Sequence, residues 1–548
     1  MSLSALPIEI ICMIVERIPT QAGVKAFMLS HRRVSNLPLV RECLYNRTGK
    51  SRLSENLLWA CEKDDKNLAC AMLALGADIK CSSKDQVFTP LTIAAAECNA
   101  EIVKLLLEHD TSIINGAGGC GDTALKQAIF RGHIEIVKTL LAQSNLDPSA
   151  ANPHPSRTMQ DPFYRLKPLN EALARGNEEM VRMLMEDSRF KLDHNSLAAA
   201  ADGGNESLVK LCLQKAPPTP QYFDESPVAL AAFRGNEAVV KLLLEDGGLD
   251  PNEENKYHRT PLHLAAAGGH DNIAKLLLDR YDVEPDVKDL SNITPLSDAA
   301  RYGHVGVLKL LLGSGKTNPN ARDSMNRTPL SHAAERGHSE AASLLLATGL
   351  VDADSKDHMD RTPLSWAAEN GVPDTVRVLL QTGRVNPESK DKEEGRTPLS
   401  YAAGSSHYLN SFNGAKRRDD AQECRDIYNL LQGRTDLVSP PDVQARQRGT
   451  YGWLAKCDPV DIIEQLLEYD GVNPDAQDKQ GQTPLMLAAQ RRQVEAVRLL
   501  MATGKVNPEL RDNDGWTPRI HAEQGFKPRK LTQAELDERA WDAWEAAL

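Results

Sequence analysis

The sequence predicts an all-α solenoid, a stack of short helix pairs joined by hairpin-like connections. Three observations predict it. Thr260-Pro261-Leu262 recurs as Thr294-Pro295-Leu296, Thr328-Pro329-Leu330 and Thr362-Pro363-Leu364, one start every 34 residues. A fixed period of that size marks stacked supersecondary units. Each unit then runs through an alanine pair, a glycine and a leucine-rich stretch. Finally, the chain has 548 residues. That is too many for one compact core, but not for an array in which each repeat needs only its neighbours.

Every residue of the unit has a physical reason. The proline pre-sets the dihedral of a first helical residue and has no N–H to leave unpaired. The threonine before it caps the helix. Alanine pairs (Ala265-Ala266, Ala299-Ala300, Ala333-Ala334, Ala367-Ala368) give the first helix a small face, so the next helix can come close. Gly235, Gly269, Gly303 and Gly337 end that helix, where a left-handed backbone costs glycine least. Leu243, Leu277, Leu311, Leu345 and Leu379 share one position of the second helix and predict a continuous core. Asn-Pro pairs such as Asn318-Pro319 and Asn507-Pro508 turn the chain out of it.

The unit Thr260–Leu278, TPLHLAAAGGHDNIAKLLL, resembles the ankyrin repeat. The resemblance implies an ankyrin-repeat solenoid, and with it a protein-binding scaffold. In chain order, the repeats begin near Asn56 with a degenerate copy. Starts follow at Thr89, Thr123, Lys167, Asn195, Ser226, Thr260, Thr294, Thr328, Thr362, Thr397, Thr483 and Thr517. The step into Lys167 is long, and its extra residues are rich in Pro, Ser and Asn, an extended loop. The step from Thr397 to Thr483 is 86 residues. It reads as one repeat split by an insertion at 405–456, with Val460–Leu467 supplying its second helix and Asp419–Leu431 a helix of the insertion's own. Repeats thus occupy 51–404 and 457–530. Residues 531–548 open with Thr532-Gln533-Ala534-Glu535, a capping-box pattern. Leu536, Ala540, Trp541, Trp544 and Leu548 share a face of that helix, which reads as a C-terminal cap or as a free amphipathic helix.

Residues 1–50 do not follow the period. Leu6-Pro7 opens a helix, Ile10, Ile14 and Ile18 form one stripe, and a second short helix runs through Val24, Phe27 and Met28, with Leu29 following. The order LPIEIICMIVERIP…VKAFMLSHRRV resembles an F-box, a helical module that docks on a Skp-family adaptor in cullin–RING ubiquitin ligases. The resemblance implies adaptor contact through Leu6, Pro7, Ile10, Ile14, Ile18, Val24 and Leu29. Two departures stand against it: Gly23 replaces the usual acidic-leucine pair, and no aromatic follows Arg32-Arg33. A helical cap over the first repeat is the other reading.

Composition narrows the function. A net charge of −12 disfavours a nucleic-acid partner. Ten cysteines without CxxC pairs read as reduced thiols of the cytosol or nucleus. No stretch of the chain is apolar enough for a membrane helix, and no basic region precedes the N-terminal apolar run, so neither a span nor a signal peptide is expected. His133, His270, His304 and His338 fall one per repeat, too dispersed for a metal. They are expected to hydrogen-bond the turn backbone. Phosphate-loop, metalloprotease and nucleophile-elbow motifs are lacking, so neither catalysis nor a cofactor is expected.

Function should sit where repeats disagree. The residue four after each threonine reads Leu264, Asp298, His332, Trp366, Tyr401. A buried column could not hold Asp298 unpaired, so the column is expected to be partly exposed on the inner face of the first helices. Trp366 beside Tyr401 would suit a protein hot spot, or the rings would pack against the next repeat. Arg259, Arg327, Arg361 and Arg396 precede Thr-Pro-Leu, while Asp289, Asp323, Asp357 and Asp391 recur in the connections. Arg327 and Arg361 would form a rim for an acidic client segment, or each Arg would pair locally with an Asp. The expected assembly is a substrate receptor, monomeric outside its complex, with the client on the concave face.

Overall fold

The computed structural model describes residues 53–404 and 459–524, except 75, 84–87, 119–121, 149, 151–166, 194 and 216–225; it also describes Ile427, Leu430 and Leu431. The F-box-like residues, the C-terminal helix at 531–548 and nearly all of the 405–456 insertion lie outside that set.

The chain divides into two compact units, Met1–Leu249 and Asp250–Leu548. In each, the described residues form helix pairs and no strand. The first unit holds helices at 53–62 and Lys66–Ala74, then pairs beginning at Pro90, Ala124, Pro168, Ser196 and Pro227. The second holds pairs beginning at Pro261, Pro295, Pro329 and Pro363. Pro398–Gly404 then packs against Pro459–Glu468, and Pro484–Gln490 against Val494–Ala502, with Pro518–Gln524 last.

Within a unit, first helices pack on first helices of adjacent repeats, and second helices line the other side. Thr294, Thr328 and Thr362 each accept the backbone N–H three residues on, as N-caps. The alanine pairs and the second-helix leucines are fully buried. Pro398–Gly404 sits between Pro363–Glu369 and Pro484–Gln490, so the array keeps its order across the insertion.

Neighbouring repeats are clamped at the glycine caps. Gly303 has φ +75°, the left-handed region. The histidine after such a glycine reaches backward. His304 Nε2 donates to the Ala267 carbonyl (3.0 Å) and His338 Nε2 to that of Arg301 (3.1 Å). His133 does the same to Ala96 (3.0 Å). The bond expected at the turn thus joins one repeat to the helix end of the previous one. A Cβ on Gly303 would lie 2.5 Å from the His338 ring, whereas one on Gly315 (φ +65°) would meet nothing.

Gly315→Ala should therefore cost only the dihedral penalty, about 1–2 kcal/mol. Gly303→Ala should cost that and the displaced His338 clamp, and lower the thermal unfolding midpoint clearly further. Equal shifts would show that the clamp adds nothing.

Candidate functional site

The connections of the second unit are hairpins, each closed by one acidic or amide side chain. Asp323 Oδ1 accepts the N–H groups of Met325 and Arg327, both at 2.8 Å. The Asp323 N–H donates to the Arg327 carbonyl (3.0 Å). The same fork recurs at Asp289, Asp357, Asp478 and Asp512, with Asn255 as a neutral version. Asp391 closes a hairpin one residue longer, using both oxygens, on Glu394 (2.7 Å) and Arg396 (2.6 Å). Asn292, Asn326 and Asp360 take the left-handed position of these turns, which Asn and Asp tolerate best after Gly.

Single backbone bonds join successive hairpins. They run from Leu290 N–H to the Tyr257 carbonyl (3.2 Å), Ser324 to Ser291 (2.8 Å), His358 to Met325 (3.0 Å) and Lys392 to Met359 (2.7 Å). Lys479 to Glu394 (2.8 Å) continues the series across the insertion, and Asn513 to Gln480 (3.0 Å) ends it.

The second carboxylate oxygen points at the first helix and meets the irregular column. His332 Nε2 lies 3.1 Å from Asp323 Oδ2. Trp366 Nε1 donates to Asp357 Oδ2 (3.1 Å), and His521 Nε2 lies 2.7 Å from Asp512 Oδ2. The Tyr401 phenol bonds Asp391. At Asp289 the column residue is itself an acid, Asp298. Arg259 from the preceding hairpin answers both, in a close ion pair with Asp298 and at 3.9 Å from Asp289.

This corrects the expectation that the column is exposed. Asp298 is 2% exposed, His332 0% and Tyr401 9%, while Trp366 is half-buried. The premise about an unpaired acid was sound, but the partner, Arg259, lies 39 residues upstream. Asp298, His332 and Tyr401 are therefore interior groups with no face for a client.

The arginine column is paired within the chain, but only Arg327 meets the nearby Asp that the local reading gave each of them, since Arg259 pairs with Asp298 of the next repeat. Arg327 binds Asp323 Oδ2 (3.0 Å) and Glu335 (2.8 Å). Arg396 binds Glu394 (2.6 Å). Arg361 pairs closely with Glu369, and its guanidinium carbon lies 3.6 Å from the Trp366 ring centre and 4.5 Å from that of Tyr401. One cation thus fills the gap between the two aromatics. The rim proposed at Arg327 and Arg361 is occupied by the chain's own carboxylates.

Electrostatics follow the pairing. Burial alone would raise the Asp323 carboxyl. The His332 ring beside it, the Arg327 backbone N–H and the Arg327 guanidinium instead hold it at about 2. Burial pushes Asp298 up to about 6 against the pull of Arg259, and Asp289 adds to the rise. Burial also raises the Tyr401 phenol.

His263, whose role the sequence did not disclose, is fully buried. Its Nδ1 accepts the Thr260 N–H (3.1 Å), and its Nε2 donates to the Ile293 carbonyl of the next hairpin (3.0 Å). Burial lowers it to about 4. Among the described residues no group of His, Cys, Asp and Glu is arranged to hold a metal, and no helix is long and apolar enough to cross a membrane. What the arrangement does chemically is fix hairpins to helices.

A family profile described as ankyrin repeats (three copies) matches residues 57–152, 197–289, 281–357, 346–413 and 453–527, well over half of the chain. A stretch of 53 residues is 51% identical to E3 ubiquitin-protein ligase XBAT33 of Arabidopsis thaliana. That match covers 10% of this chain and 10% of that protein.

His263 gives the site a pH dependence with a definite sign. Its folded value lies below the free imidazole's, so its contribution is complete above about pH 6.5 and is lost as pH falls toward 4. The His263 contribution to the repeat Thr260–Leu278 should fall by about 3 kcal/mol over that window, read by hydrogen exchange, while the raised Asp298 carboxyl contributes in the opposite direction. His263→Ser, the residue found in the next repeats at Ser297 and Ser331, should abolish that loss. An unchanged profile would show that His263 does not control it.

Proposed function

The chain belongs to the ankyrin-repeat family, and from that premise we propose that this protein-interaction scaffold is the substrate-receptor subunit of a cullin–RING ubiquitin ligase. The observation that carries the ligase role is the N-terminal order Leu6-Pro7 with Glu9-Ile10, followed by the Ile10, Ile14, Ile18 stripe. That segment stands outside the repeat period and resembles an F-box. The short similarity to a protein named an E3 ubiquitin-protein ligase supports the same reading, within the tenth of each chain that it spans.

The mechanism is positioning. Residues 1–50 hold a Skp-family adaptor through Leu6, Pro7, Ile10, Ile14, Ile18, Val24 and Leu29. The repeats hold a protein client. Tethering raises the client's effective concentration at the ligase without chemistry from this chain. Client contact falls to exposed groups of the hairpins and to the open edge of Trp366, since the rest of its column is enclosed. The other reading is an ankyrin scaffold with no ubiquitin role, favoured by Gly23 and by the lack of an aromatic after Arg33.

Deleting residues 1–50 should abolish co-purification of the adaptor and leave the helical circular dichroism of the array intact. If the full-length protein never retains the adaptor, the receptor reading fails and the plain scaffold stands.

A further inference from the structure

The hairpins carry a second periodic feature, one that the pairing just described leaves unused. The residue just before each closing aspartate is Lys288, Arg322, Lys356 and Lys390 in four consecutive repeats. All four are exposed, and none forms an ion pair with a described carboxylate. The row has ends. The equivalent residue is Glu254 one repeat earlier, with His258 Nδ1 2.9 Å from its carboxylate, and Gln477 one repeat later.

The heads are held in line along the array. Lys288 Nζ reaches the Arg322 carbonyl (3.5 Å), Arg322 Nη1 the Lys356 carbonyl (2.7 Å) and Lys390 Nζ the Gln477 carbonyl (2.6 Å). Each of these contacts leads to the same position of the next repeat. Three acids two residues before row cations feel Lys288, Lys356 and Lys390 but form no ion pair with them, and each accepts a backbone N–H instead. Asp286 accepts the Asn318 N–H (3.3 Å), Asp354 the Asn386 N–H (3.2 Å) and Glu388 the Asn473 N–H (3.0 Å). The carboxylates thus stitch repeats together while the cations face solvent, in a chain of net charge −12. At the hairpin tips beside the row stand Tyr257, Leu290 and Met325, 54%, 64% and 46% exposed.

We propose that Lys288, Arg322, Lys356 and Lys390 form a docking track for an extended acidic peptide that carries a carboxylate at every third residue and apolar side chains between. This rests on the protein-binding reading above and names its partner class. The spacing follows from geometry. Packed helices stand about 8–10 Å apart, and that sets the step between repeats. A polyproline-II chain has three residues per turn and rises about 3.1 Å per residue, so every third side chain returns to the same face about 9 Å on and matches one step. Four cations therefore match about ten residues of partner. Carboxylates gain charge-assisted bonds from the row, and the intervening apolar residues cover the tips. A nucleic acid fits less well, because its dense phosphates would meet Asp286, Asp354 and Glu388 beside the cations.

The test is fluorescence anisotropy on the full-length protein, with a labelled ten-residue peptide bearing glutamate at the first, fourth, seventh and tenth positions and leucines between. The comparison probes are an isomer with the four glutamates contiguous and a single-stranded oligothymidine. The spaced peptide should bind, and bind more weakly as salt rises. Each of Lys288→Glu, Arg322→Glu, Lys356→Glu and Lys390→Glu should weaken it up to about fivefold, and the quadruple variant should abolish binding. Arg511→Glu, beyond the row, should leave it unchanged. Should a reversal unfold the protein, Lys→Gln and Arg322→Gln at the same sites should give the smaller loss expected of neutralisation. Equal affinity for both peptides overturns the spacing. Indifference to the variants overturns the track. Tighter binding of the oligothymidine makes it a nucleic-acid surface. A protein that binds the peptide but no adaptor fails only the ligase reading, and one that captures the adaptor but ignores the peptide fails only this one.

Discussion

The structure of the second unit depends on a carboxylate used twice. In Asp323 one oxygen collects two backbone N–H groups and closes the hairpin, while the other faces His332 on the first helix. A buried carboxylate is costly unless its lone pairs are filled. Here the hairpin fills one side and the helix the other. Connection and helix are therefore fixed to each other by a single group. The identity of the helix residue is free to vary provided it can answer that oxygen: histidine, tryptophan and tyrosine donate to it, and where it is aspartate an arginine is recruited instead.

That rule explains why fold and site were unequally legible in the sequence. The period, the Thr-Pro starts, the alanine pairs and the buried leucines all depend on spacing along one chain, and spacing is visible in the letters. Each helix start from Thr89 onward is found where the repeat places it. The column from Asp298 to Tyr401 looked like surface because a buried Asp298 would have been unpaired. Its partner is not near it in the chain. Arg259 stands 39 residues from Asp298, and no local pattern connects them.

The arginines show the complementary case. Their nearness to Asp in the connections was visible, and at Arg327 the pairing with Asp323 followed from it, whereas Arg259 and Arg361 found their acids on first helices. The stacking of Arg361 between Trp366 and Tyr401 was not, since it spans two repeats. The exposed row from Lys288 to Lys390 was as periodic as anything in the chain. What hid its meaning was the even mixture of charge around it. Asp286, Asp354 and Glu388 accept backbone N–H groups of the next repeat and stay beyond ion-pair distance of the row, although Lys288, Lys356 and Lys390 still pull on them.

The bond from Lys479 to Glu394 has a consequence of another kind. It joins two hairpins that are 85 residues apart in the chain and adjacent in the stack. The array thus reads its neighbours by contact and is indifferent to how much polypeptide lies between them. The entropy of closing a loop grows only with the logarithm of its length, about 0.6 kcal/mol per doubling. The junction after Gly404 is therefore a point where the lineage can lengthen, exchange or discard sequence while the repeats on either side keep their register. A scaffold with such an opening can acquire new parts without refolding the old ones.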